Sequence, residues 1–139
     1  MIWVEPGTFT MGSPADEPDR RGDEKEHNVT LTEGFYLGKF EVTQAQYEAV
    51  MTGNTDGLDS NPSEYNGNPD RPVEKVSWND VQVFLNRLNN QKSSQLPDGW
   101  LYIHPTEAQW EYAYRAGTKT SYYWGNSVDT SKGLSLIHI

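Results

Sequence analysis

The hydrophobic pattern of the chain has period two near its start and near 3.6 further on. Residues 2–12, IWVEPGTFTMG, alternate apolar and polar positions around Pro6-Gly7. Alternation of that kind puts successive side chains on opposite faces of a strand. It predicts short strands, either a two-strand hairpin or one strand with a tight turn. His27-Asn28-Val29-Thr30-Leu31-Thr32 alternates again, and residues 34–40 follow a Glu33-Gly34 turn, so two further strands are expected to pair as a hairpin.

The helical signals begin at Thr43. Thr43-Gln44-Ala45-Gln46 has a hydroxyl and, three residues on, a Gln side chain, each able to satisfy a free amide of a first helical turn, and the helix should run to about Met51. Ser77-Trp78-Asn79-Asp80 repeats the device ahead of Trp78, Val81, Leu85 and Leu88, spaced to share one face. Thr106-Glu107-Ala108-Gln109 repeats it ahead of Trp110, Ala113 and Tyr114, with Pro105 before the cap and Gly117 placed to stop the helix. Trp78 follows its cap directly and Trp110 lies just beyond the first turn of its helix; both are expected in the core, each stapling a helix end.

Loops separate these elements. Residues 13–26, SPADEPDRRGDEKE, hold six carboxylates against Arg20, Arg21 and Lys25 and should be exposed. Residues 52–75 are rich in Gly, Asn, Asp and Pro, and Pro97-Asp98-Gly99 should turn the chain into a strand over 100–103. The flanking elements are too small to hold cores of their own, which argues for one interrupted domain.

Composition sharpens the picture. A chain of 139 residues is the usual size of one domain and, folded alone, buries about two-thirds of its unfolded surface. Its apolar content is concentrated in five Trp, eight Tyr and four Phe, so the core is built from rings with polar tips. Twelve Gly and eight Pro without a period point to irregular loops. A formal charge of -9 disfavours nucleic acid and anionic membrane surfaces as partners. No apolar stretch approaches the roughly 20 residues of a membrane span, and the first residues do not read as a signal peptide, so the expectation is a cytosolic protein or a missing start.

There is no Cys, which removes disulfides, thiolate metal sites and thiol nucleophiles from this chain. His27, His104 and His138 lack the helical spacing of a metal-binding pair. Glu107 and Glu111, one turn apart, are read as structural, because Glu107 complements a helix N-terminus. Ser77 is taken as a cap, and no G-x-S-x-G elbow is present.

Four segments, in order, resemble the formylglycine-generating-enzyme (sulfatase-modifying factor) family. They are GTFTMGS (7–13), GFYLGKFEVTQAQYEAVM (34–51), RPVEKVSWNDVQVFLNRLN (71–89) and PTEAQWEYAYRAG (105–117), the last followed by Tyr123-Trp124-Gly125. The resemblance implies an α+β fold, irregular, loop-rich and C-type-lectin-like, with short antiparallel strands and three short helices. It makes residues 1–126 the N-terminal part of the family's domain. Where the family usually has Leu before Pro-Thr-Glu this chain has His104, and residues 127–139 read as an unassigned tail that looks like foreign sequence.

The family implies an oxidoreductase that converts a sulfatase cysteine to formylglycine with copper and oxygen, hence a protein or peptide substrate. Its copper cysteines lie later in the domain, so no catalytic or cofactor-binding residue is assigned here. The expectation is the structural half of such an enzyme, inactive as this chain. The alternative is a non-catalytic module that binds peptide or carbohydrate through rings such as Tyr122, Tyr123 and Trp124. Some family members also bind calcium, for which Asp16, Glu17, Asp19, Asp23 and Glu24 offer hard oxygens, though without EF-hand spacing.

Overall fold

A computed structural model describes residues 1–17, 20–118 and 120. Four short strands come first: β1 (Ile2–Val4), β2 (Gly7–Met11), β3 (His27–Leu31) and β4 (Phe35–Leu37). β1 pairs antiparallel with β4, and β2 with β3. The expected hairpin between the third and fourth strands does not form, and β1 and β2 do not pair with each other. Pro6 has no amide to donate to a ladder, and between Val4↔Phe35 and Gly7↔Leu31 the residues Glu5 and Pro6 face Thr32, Glu33 and Gly34. Two residues opposite three make a bulge, so Glu33-Gly34 bends the chain without reversing it. The reversal is the 12–26 loop. Gly34 is required at the bend, because a Cβ there would overlap the indole of Trp3, which packs on Tyr36 at 5.0 Å.

Three α-helices follow among the described residues: α1 (Gln44–Met51), α2 (Trp78–Lys92) and α3 (Glu107–Arg115). Each begins with a reciprocal cap. The hydroxyls of Thr43, Ser77 and Thr106 accept from the amides of Gln46, Asp80 and Gln109 at 3.3, 3.2 and 3.2 Å, and those side chains accept from the cap amides. A cap of this kind stabilises a helix by about 1 kcal/mol. α3 stops at Ala116, which is left-handed at φ 46, followed by Gly117 at φ 84. The architecture is mixed α+β, loop-rich, with short antiparallel strands.

The described residues form two compact units, 1–37 with 105–120, and 38–104. The second unit holds a closed core of Tyr47, Val50, Met51 and Phe84, with Leu58, Val73, Val76, Val83, Leu85 and Leu88 packed against it. Tyr47 and Phe84 stack at 5.3 Å. Arg87 and Gln91 of α2 both donate to the carbonyl of Val50, and Arg87 also to that of Thr52, so a cation satisfies the end of α1. Polar side chains shape the 52–75 loop: Gln44 donates to the carbonyls of Tyr65 and Pro72, and Asn54 to those of Met51 and Leu58.

Two expectations for this unit are corrected. Trp78 is not a core residue; it is 66% exposed. The buried face of α2 centres on Phe84, and at about 100° per residue Trp78 lies about 120° around the helix from it. The strand over 100–103 is absent as well. Tyr102 donates its amide to the Asn89 side chain at 2.8 Å and accepts the Asn89 amide at 2.8 Å, so a side chain occupies the place of a neighbouring strand.

Candidate functional site

The first unit carries the chemistry-bearing side chains, and α3 assembles them. Tyr112 lies over Gly7, where a Cβ would strike its hydroxyl, and its ring meets Phe9 at 5.2 Å. Next to it on α3, Glu111 accepts from the Gly12 amide at 3.0 Å, and Arg115, one turn further, donates to the Gly12 carbonyl at 2.8 Å. Glu111 and Arg115 pair at 2.7 Å, with side chains only 18% and 17% exposed. One ion pair thus satisfies both main-chain groups of a single residue. Gly12 has φ 97, and a Cβ would lie 2.7 Å from the Lys25 carbonyl oxygen, so both conformation and space exclude a larger side chain.

The 12–26 loop closes on itself just beyond this clasp. Ser13 donates to the Glu24 carbonyl at 2.9 Å, and the Arg20 guanidinium donates to the carbonyls of Ser13 and Glu24 at 2.9 and 3.3 Å. Loop and helix enclose an open cleft of about 500 Å³. Trp110 and Tyr114, stacked at 5.1 Å, form one wall, and Glu17, Asp23, Lys25, His27 and Glu107 stand around it.

Of the calcium candidates, Asp16 and Asp23 are exposed, Glu17 and Glu24 half-buried, and Asp19 lies outside the described residues. Glu24 accepts from the Arg21 amide at 3.3 Å. Among the described residues no three His, Asp or Glu side chains are placed to hold a metal ion. His27 contacts the Lys25 carbonyl at 2.9 Å, His104 is exposed, and His138 lies outside the described residues, as do Tyr122, Tyr123 and Trp124. The donor set of this chain does not fit a copper centre, because Cu(I) takes soft thiolate ligands and there is no Cys.

Thr43, Ser77 and Thr106 act as N-caps, while Trp110 is half-buried in the cleft wall. Glu107 is exposed in the first turn of α3, and Glu111 is the acid that makes contacts. The pairing of Glu111 with Arg115 was open to sequence reasoning, since acid and base four apart on a helix are neighbours. Their partner Gly12 lies 99 residues from Glu111, and nothing local marks it. In the second unit, burial pushes the Tyr47 phenol above its ordinary range, and the carboxylates of Asp80 and Asp59 add to the shift.

The fold and its clasp define a loop-rich α+β arrangement in which the last described helix, α3, fastens a glycine turn. The family model described as the sulfatase-modifying factor enzyme 1-like domain matches residues 1–135, and the chain belongs to that family. It is 31% identical over 147 residues to a protein named chaperone protein LppX of Paenibacillus barcinonensis, covering 86% of this chain and 46% of that protein. It is 22% identical to the formylglycine-generating enzyme of Mus musculus, over 92% of this chain and 43% of the enzyme. Among solved structures, PvdO from Pseudomonas aeruginosa superposes with a TM-score of 0.68 at 29% identity, over 85% of this chain and 48% of PvdO. The chain therefore spans less than half the length of each of these three proteins.

Proposed function

We propose that this chain supplies the structural half of a domain that modifies a protein or peptide, and that by itself it does not oxidise cysteine to formylglycine. One observation carries the reading. Two of the family segments, 7–13 and 105–117, meet at Gly12, where Glu111 and Arg115 bind main chain. A part whose charged groups fasten its own turn serves to position other groups. Relatives named formylglycine-generating enzyme support a modifying role for the whole domain. The relative named a chaperone favours a second reading, a module that holds a polypeptide without altering it.

The test is a Cu(I) titration of the purified chain against a chelating competitor, then incubation with oxygen and a sulfatase-type cysteine peptide. The expected result is weak copper binding and an unchanged peptide mass. Tight stoichiometric copper, or the mass change of cysteine becoming aldehyde, would overturn the proposal. Suppressed aggregation of an unfolded test protein would favour the module.

A further inference from the structure

The 52–75 loop holds four asparagines, and the structure treats them differently. Asn54 is fixed by its whole side-chain amide, which donates to the carbonyls of Met51 and Leu58 and accepts from the amides of Asp56 and Leu58. Asn61 and Asn68 each precede a proline, whose nitrogen has no hydrogen to lose. Asn66 precedes Gly67; both are exposed, and neither makes a hydrogen bond among the described residues. Gly67 lies at φ 89 and has no Cβ to shield its nitrogen. On either side of this free span the chain is pinned. The Tyr65 carbonyl accepts from Gln44 and from Arg71, each at 3.3 Å, and the Pro69 carbonyl accepts from the Ala45 amide at 3.0 Å. Reacting groups that are neighbours in one chain and free to meet need no further encounter.

We infer that Asn66 is a site of spontaneous backbone modification in the folded chain. The Gly67 nitrogen loses its proton to solvent base and bonds the side-chain carbonyl carbon of Asn66. The bond from that carbon to the side-chain nitrogen breaks, and the departing nitrogen takes up a proton and leaves as ammonia. Water then opens the cyclic imide at either carbonyl. Opening at the main-chain carbonyl routes the backbone through the Asn66 side chain and leaves isoaspartate, while opening at the other leaves aspartate. The reaction consumes one water and needs no oxidant, cofactor or partner. Isoaspartate inserts a methylene between the Tyr65 and Pro69 pins, and both products place a carboxylate on a span fastened to the first turn of α1, which has no acid of its own.

The experiment incubates the whole folded chain in water enriched in oxygen-18, at neutral and at mildly alkaline pH, and maps its peptides by mass spectrometry with electron-based fragmentation. Asn66 should convert at least about tenfold faster than Asn54, with one heavy oxygen gained and both isoaspartate and aspartate formed. Conversion should quicken with pH, because the attacking nitrogen must give up its proton. Gly67→Asp keeps a residue type that enters the left-handed region, and its Cβ should slow conversion at least about tenfold by shielding that nitrogen. Asn66→Gln, at an exposed position, should keep the thermal transition of the parent and gain no label there. Equal conversion of Asn54 and Asn66 would remove the structural basis of the assignment. Conversion in urea but none in the folded chain would show that the fold holds Asn66 closed, and would refute it. An undiminished rate in Gly67→Asp would exclude the cyclic route. Each of these outcomes is independent of the copper test.

Discussion

The two units of this chain are held together by different physics. Residues 38–104 close a small apolar core: Met51 is 0% exposed, Tyr47 and Phe84 stack, and Val50 anchors the end of α1 through Arg87. Residues 1–37 with 105–120 contain no fully buried side chain among those described. Their cohesion comes from two ladders, ring pairs and an ion pair on Gly12. Burial of apolar area is non-directional and tolerates conservative repacking, whereas a hydrogen-bonded clasp depends on the placement of each donor. One unit should respond to lost volume, and the other to lost partners.

Substitutions can break that contrast, beginning with the core. Phe84→Ala should destabilise by about 3–5 kcal/mol in denaturant unfolding, through lost burial and a cavity. Trp78→Ala, on the exposed side of the same helix, should stay within about 0.5 kcal/mol. Equal losses at the two positions would erase the assignment of the buried face.

The clasp comes next. Arg115→Ala leaves Glu111 and the Gly12 carbonyl without their cation, for an expected loss of about 1–3 kcal/mol. Hydrogen exchange at Gly12 and Ser13 should rise while amides of α1 stay protected; uniform change would show that the units do not differ in this way. Thr106→Ala should cost about 1 kcal/mol, seen as fraying of the first turn of α3.

The smallest effect is a pH dependence in the core. The Tyr47 phenol is raised in the folded state, first by burial and then by Asp80 and Asp59. Its contribution is therefore complete below the unfolded value of about 10 and is lost as pH rises through the folded value. Stability should fall more steeply above about pH 10 in the parent than in Tyr47→Phe. Identical slopes would remove Tyr47 as the source.

The sequence determined what is decided over a few residues. Thr43, Ser77 and Thr106 cap helices through bonds that span three positions, so their residue types suffice to place them. Strand segments were legible for the same reason, because alternation is local. Strand pairing was not, since Pro6 and the bulge at Thr32, Glu33 and Gly34 act only once two distant segments lie side by side. The buried face of α2 turned on Phe84 rather than Trp78 because the neighbours of a helix, and not its own spacing, choose which stripe meets the core. Likewise Asn89 replaced a strand at Tyr102, and Glu111 and Arg115 found Gly12, through contacts whose partners lie far apart in the chain. Local bonds can be read from residue order, but long-range ones require loop closure and shape to bring their partners together, and only the tertiary structure decides those.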